Sequence, residues 1–156
     1  MKILVDADSC PRPARDLIIR AARRTGLTAI FAANRPIPGL RGDTVIMELC
    51  PPGDGSADNR VVDLARQGDV VITRDIPLAQ RLVEKDVTVM DDRGTVYSRE
   101  NIRERLSLRN FMVGLANNGL DPERSASYGK QELKAMADSL DRLLAKLNHG
   151  ELKKPT

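Results

Sequence analysis

Two stretches decide the fold: Lys2-Ile3-Leu4-Val5-Asp6-Ala7-Asp8, and Gly68-Asp69-Val70-Val71-Ile72-Thr73-Arg74-Asp75-Ile76-Pro77-Leu78-Ala79. Each is a short apolar run that ends close to an acid and is followed by a proline. Strands that are apolar without alternation belong to sheets covered on both faces, and parallel strands need a crossover, usually a helix, between them. After the first run, Pro11 or Pro13 can open a helix, since a proline in the first turn forfeits no hydrogen bond. Ala14, Leu17, Ile18, Ala21 and Ala22 then recur at helical spacing as one apolar stripe, and Gly26 ends it. After the second run, Pro77 lies early in a helix that turns Leu78, Ala79, Leu82 and Val83 inward.

The same reading extends outward. Strands are expected over 2–5, 27–33, 44–49, 70–73, 87–90 and 95–97, and a helix over 58–67. Asp92-Arg93-Gly94 reads as a turn. Ser98 is a plausible N-cap for a helix to about Ala116, stopped by Asn117-Asn118-Gly119. Residues 121–129 are polar and read as an exposed connection. The last helix spans roughly 130–147, with Leu133, Met136, Ala137, Leu140, Leu144 and Leu147 on one stripe, and 150–156 reads as a frayed, flexible tail. This alternation predicts a three-layer α/β/α domain over 1–149, with a mainly parallel central sheet and a C-terminal helical extension. The last helix could cap that domain or join two copies as a homodimer.

The chain has 156 residues, 41% hydrophobic and 30% charged, which excludes disorder for its body. A chain of this size buries roughly 70% of its unfolded surface. Cys10 and Cys50 are too few for a disulfide scaffold, and with the single His149 they cannot supply a zinc site. No apolar run approaches the ~18 residues of a membrane span. The acid at Asp6 interrupts the N-terminal apolar run before it could act as a signal peptide, so a cytoplasmic location is expected. The net charge is only +3, but Arg12, Arg15, Arg20, Arg23 and Arg24 cluster early, and Arg99, Arg103, Arg105 and Arg109 form a second group. Such stripes suit either a polyanionic partner such as RNA or plain solvated helix faces. Aromatic residues make up 3% of the chain, which disfavours a base-stacking platform.

The acids carry the functional signal. Asp6 and Asp8 follow the first strand, Asp75 follows the strand at 70–73, and Asp58 opens a helix. In a parallel sheet the carboxyl ends of the strands share one edge, where ligands bind, so acids far apart in sequence can meet there. Crowded carboxylates without basic partners are unfavourable unless a cation neutralises them. Mg²⁺ or Mn²⁺ would do so through Asp6, Asp8, Asp58 and Asp75 and would support attack on a phosphodiester. Structural roles compete: Asp8 as a turn former, Asp58 and Asp75 as helix caps, Asp63 and Asp69 as solvated or turn residues. Cys10, near a helix start, reads as a buried small residue, and Ser9 as a phosphate contact or a cap.

Val5-Asp6-Ala7-Asp8-Ser9-Cys10-Pro11, Ala57-Asp58-Asn59 with Val61, Val62 and Asp63, and the segment from Gly68 to Ala79 resemble the bacterial YaiI/YqxD family. Arg93-Gly94, Asn101-Ile102, Leu106, Leu108 and Arg109 fit it as well. That uncharacterised family is similar to the PIN-like nucleases, whose parallel sheet carries an acidic metal site used to cut RNA. The resemblance implies catalytic roles for Asp6, for Asp58 at its helix start, and for Asp75 in a strand-Thr-x-Asp signature. It departs from the pattern at the remaining acid, for which Glu48 and Asp8 are the substitutes at hand.

Two other readings stay open. Asp6 and Asp8, with Asp91 and Asp92, resemble the paired acids of haloacid-dehalogenase-like phosphatases, in which Asp6 would attack phosphorus, although a phosphate-binding Ser/Thr strand and a lysine are not identifiable in order. Alternatively, the chain is a non-catalytic RNA- or partner-binding module that uses its arginines.

Overall fold

The computed structural model describes residues 1–40, 42–53, 55–117 and 128–153. The first apolar run forms strand β1 (Lys2–Asp6), followed by a single 3-10 turn over Ala7–Ser9 and helix α1 (Arg12–Thr25). Pro11 occupies the N-cap of α1 and Pro13 its first turn. Gly26, with φ +73°, ends that helix in the left-handed conformation that a Cβ would penalise. Then come β2 (Thr28–Ala33), β3 (Val45–Leu49), α2 (Ser56–Leu64), β4 (Val70–Ile72), α3 (Ile76–Glu84), β5 (Thr88–Met90), β6 (Val96–Tyr97), α4 (Arg99–Asn117) and α5 (Lys130–Lys153).

The sheet has six strands in the order β3-β2-β1-β4-β5-β6. Strands β1 to β5 run parallel and β6 is antiparallel to β5. Successive side chains of a strand point to opposite faces. Ile3 and Val5 therefore join Ala14, Ile18 and Ala22 of α1 and Met136, Leu140 and Leu144 of α5. Leu4, Val71 and Val89 face the other way, onto Val61 of α2, Leu78 and Leu82 of α3, and Ile102 of α4. Both faces are covered, which makes this a three-layer α/β/α fold and explains why the central strands are apolar without alternation.

Some boundaries differ from expectation. Helix α2 begins at Ser56 with Gly55 at its N-cap, so Asp58 sits inside the first turn and is not the cap. Helix α5 continues to Lys153, past the expected end near Leu147. The expected stop at Asn118-Gly119, most of the polar connection (121–127) and the last part of the tail (154–156) lie outside the described residues. The Ser98 cap is seen: its hydroxyl accepts from Asn101 N at 3.1 Å, while Asn101 Oδ1 accepts from Ser98 N at 2.8 Å. No helix among the described residues is long and apolar enough to cross a membrane.

Helix α5 is fastened to the β5–β6 turn. Ser139 Oγ donates to the Gly94 carbonyl at 2.6 Å, and Gly94 has φ +90°. A Cβ at Gly94 would lie 2.6 Å from the carbonyl oxygen of Ala135, so only glycine lets α5 approach this closely. Gly94→Ala should therefore cost about 1–3 kcal/mol through strain and overpacking. Leu140→Ala, emptying a buried position on the same helix, should cost about 2–5 kcal/mol. Urea unfolding checks both against Leu108→Ala, an exposed site expected to stay within about 0.5 kcal/mol of the parent chain.

Candidate functional site

From β1 the chain winds outward through β2 and β3, but after β4 it winds the other way through β5 and β6. Strands β1 and β4 are neighbours at this reversal, with Val5 opposite Ile72. Crossovers that diverge to opposite sides leave a crevice beyond the carboxyl ends of such a strand pair. A cavity of about 440 Å³ opens there, and Asp6, Asp8, Asp58 and Asp75 all line it. The acids expected to meet from three separate stretches share one cavity.

Asp6, the last residue of β1, is 8% exposed. Its Oδ2 accepts from Thr73 Oγ1 at 2.9 Å and from Ser9 Oγ at 3.2 Å. Thr73 Oγ1 in turn accepts from Asp75 N at 3.0 Å, so one hydroxyl links the ends of β1 and β4. Burial pushes the Asp6 carboxyl above its ordinary value; the Thr73 and Ser9 hydroxyls pull it back, and the charges of Asp75 and Asp8 add to the rise. Hydrogen bonds to a charged carboxylate are stronger than neutral ones, which helps hold this buried acid in place.

Asp75 has a double role. Its Oδ1 accepts from Leu78 N at 3.1 Å as the N-cap of α3, while the residue lines the cavity. Asp58, in the first turn of α2, lies within hydrogen-bonding reach of Asp75. The Asp58 carboxyl is pushed up to about 6, first by burial, then by the charges of Asp75 and Asp6 and by that shared hydrogen bond, with Arg81 opposing. Two carboxylates this close cannot both ionise freely. Among the described residues, none of Asp6, Asp8, Asp58 and Asp75 forms an ion pair with an arginine or lysine.

The other acids are engaged elsewhere. Asp8 is exposed at the rim, and its Oδ2 accepts from Asn34 N at 3.0 Å. Glu48 is paired with Arg60 Nε at 2.8 Å and does not line the cavity. Asp69, expected to be solvated or in a turn, is buried and accepts from Lys2 N, Lys2 Nζ and Arg66 N, at the amino ends of the strands and away from the cavity. Asp91 Oδ1 accepts from Arg93 N and Thr95 N, both at 2.9 Å, and shapes the turn after β5. Asp92, 2% exposed, accepts from Arg74 Nε at 2.6 Å, and its Oδ1 is buried with no hydrogen-bond partner. An unpaired buried acceptor of this kind costs about 1–3 kcal/mol or more. Burial raises the pKa of Asp92, and the charge and hydrogen bond of Arg74 oppose the rise.

Sequence reasoning missed two cavity residues, Asn34 and Arg74, and gave Arg109 no place in the site. Arg74 stood inside the Thr73-Arg74-Asp75 motif, so its position at the carboxyl end of a central strand was the available signal. Cys10 is buried, and burial, with the nearby Asp92 charge, pushes its thiol up to about 12. Burial thus favours its protonated form. The acidic groups lining the cavity offer carboxylate oxygens, the donors that hard divalent cations take. As the side chains stand, no three His, Cys, Asp or Glu groups among the described residues cluster tightly enough to hold an ion.

The family model described as uncharacterized BCR, YaiI/YqxD family, matches residues 4–146. The chain belongs to this family. A UPF0178 protein of Treponema pallidum (strain Nichols) is 50% identical over 147 residues, covering 94% of this chain and 83% of the relative. A UPF0178 protein of Treponema denticola is 47% identical over 146 residues, covering 94% and 93%. One from Syntrophobacter fumaroxidans is 46% identical over 149 residues, covering 94% and 95%. No solved structure matches the chain. The matched span of the YaiI/YqxD family contains all four cavity acids, Arg74 and Asp92.

The raised Asp58 makes this cavity a stability liability at neutral pH. A carboxyl whose folded pKa lies above its unfolded value of 3.8 carries no penalty below that value. The penalty then grows as pH rises and is complete above about 6. With solvent screening of this half-exposed group taken into account, Asp58→Asn should therefore stabilise this YaiI/YqxD chain by on the order of 1 kcal/mol near pH 8 and by little near pH 4, in a buffer free of divalent cations. Thermal melts at the two pH values check it; an equal effect at both would contradict the crowding.

Proposed function

We propose that this chain is a divalent-cation-dependent nuclease that hydrolyses RNA phosphodiesters at the cavity between β1 and β4. The observation that carries the reading is that Asp6, Asp58 and Asp75 line one cavity at the reversal of strand order, none of them in an ion pair with an arginine or lysine among the described residues. The likeness of their spacing to PIN-like nucleases points the same way.

Asp6 and Asp75 would hold Mg²⁺ or Mn²⁺, with Asp58 and the rim acid Asp8 completing the acidic wall. Such an ion polarises a phosphoryl oxygen and makes water a better nucleophile. Thr73 and Ser9 keep the Asp6 carboxylate aimed and limit its rotation. The Asp75 cap does the same for its own side chain, because one oxygen is tied to Leu78 N. Cation binding would require the acids to close inward, since they do not form a ready cage among the described residues. Neutralising the charges of Asp75 and Asp6, which add to the burial that raises Asp58, would couple cation binding to stability.

The test scores binding and cleavage of a labelled single-stranded oligoribonucleotide by the parent chain, Asp6→Asn and Asp75→Asn. Cleavage should require Mg²⁺ or Mn²⁺ and fall at least about 100-fold in each variant, with binding retained. A parent chain that binds RNA but cuts nothing with either ion would reduce it to a binding module and overturn the proposal. Phosphomonoester hydrolysis outpacing RNA cleavage, or a trapped phospho-aspartate, would overturn it in favour of a phosphatase.

A further inference from the structure

We infer that Arg74 is a phosphate-binding residue of the acidic cavity and that the buried carboxylate of Asp92 positions it, so that the cavity receives a nucleic-acid phosphodiester alongside its cation. The inference rests on the reading of this cavity as a phosphodiester site and adds the groups that recognise the anion.

Arg74 leaves the end of β4 between Thr73 and Asp75 and lines the same cavity as the acids. Its side chain is 40% exposed, whereas the Asp92 side chain that grips it is 2% exposed. The grip is one-sided: Nε donates to Asp92 Oδ2 at 2.6 Å, and Asp92 Oδ1 remains unpartnered. None of the hydrogen bonds of Arg74 within the described residues uses Nη1 or Nη2. A guanidinium is planar, so fixing Nε fixes the directions of the remaining N–H groups. An arginine present only to neutralise Asp92 would gain from a fork-to-fork contact with both oxygens. Here the fork is left open to the cavity instead.

The surroundings agree. A narrow recess lined by Asp6, Ser9, Cys10, Thr73, Arg74 and Asp92 adjoins the cavity and shares Asp6, Ser9 and Arg74 with it. The Asp92 anchor therefore holds Arg74 in a recess that it shares with Asp6. Arg109 reaches the same cavity from α4, with its Nη1 on Asn110 Oδ1 at 3.1 Å. Carboxylates for a cation beside guanidinium groups for an anion are the two halves of a site for a metal-paired phosphate. A cavity meant for a cation alone gains nothing from an arginine held among its acids, because like charge repels the ion.

The experiment measures affinity for a fluorescein-labelled single-stranded oligoribonucleotide in EDTA across a range of salt, so that cation binding plays no part. Arg74→Ala should weaken binding about tenfold and reduce the slope of log K against log salt by about 0.7, the share of one phosphate contact on a single strand. Asp92→Leu, similar in size but unable to hold Nε, should weaken it several-fold, and in the Arg74→Ala background should add almost nothing. Should Asp92→Leu fail to fold, Asp92→Asn and the partly exposed Arg74→Ala carry the test. Unchanged affinity and slope in Arg74→Ala overturns the assignment, and so does a parent chain without measurable affinity. An equal loss from Asp92→Leu in both backgrounds overturns the positioning role. A parent chain that binds through Arg74 yet cuts nothing with either ion supports this assignment and overturns only the cleavage reading.

Discussion

Everything at the cavity follows from one constraint: like-charged carboxylates are held at the place where the sheet reverses its strand order. Asp6 is buried at the end of β1, and Asp75 sits just past the end of the neighbouring β4. Left alone, their repulsion would prise these ends apart or force protonation. The Thr73 hydroxyl opposes this by donating to Asp6 while accepting from the backbone of Asp75. Part of the cost remains in the raised pKa of Asp58, which burial sets first and the charges of Asp75 and Asp6 increase. Functional sites commonly carry such local cost, and the two hydrophobic layers supply the stability that tolerates it.

The strand ends also divide labour among acids that look alike in sequence. Asp91 and Asp92 are adjacent, yet Asp91 closes a turn through two backbone amides while Asp92 is buried against Arg74. Both lie past the end of β5, where the chain turns back toward β6, so their partners are set by that turn and not by strand pairing. Likewise Glu48 and Asp69 keep their charges for local ion pairs with Arg60 and Lys2. What separates Asp6, Asp58 and Asp75 from them is that none forms an ion pair with an arginine or lysine among the described residues, not residue type.

Membership in the YaiI/YqxD family places this arrangement in a group of bacterial relatives that share most of the chain length. The matched span runs from Leu4 into α5, so it includes the helix that covers one sheet face as well as the cavity. Burial of Met136, Leu140 and Leu144 makes α5 part of the sheet's own cover. Its fastening at Gly94 also ties that cover to the turn that sets Asp91 and Asp92.

The layer order was legible in the sequence because it is written in local periodicity. Apolar runs without alternation announced strands buried on both faces, and stripes at helical spacing announced the covering helices. Proline and glycine marked where α1 starts and stops, through backbone restrictions that act within a few residues. The convergence of Asp6, Asp58 and Asp75 was partly legible too, since each lies next to an element end. Other features needed the folded chain. That Asp58 is a first-turn residue beside Asp75, that Glu48 is spent on Arg60, and that Arg74 is held by the buried Asp92 all depend on the strand order. Strand order is set by crossover direction and by packing between residues distant in sequence, and local pattern carries no record of either. Residue types and element ends therefore came from the sequence, and only the tertiary structure decided which charges became neighbours.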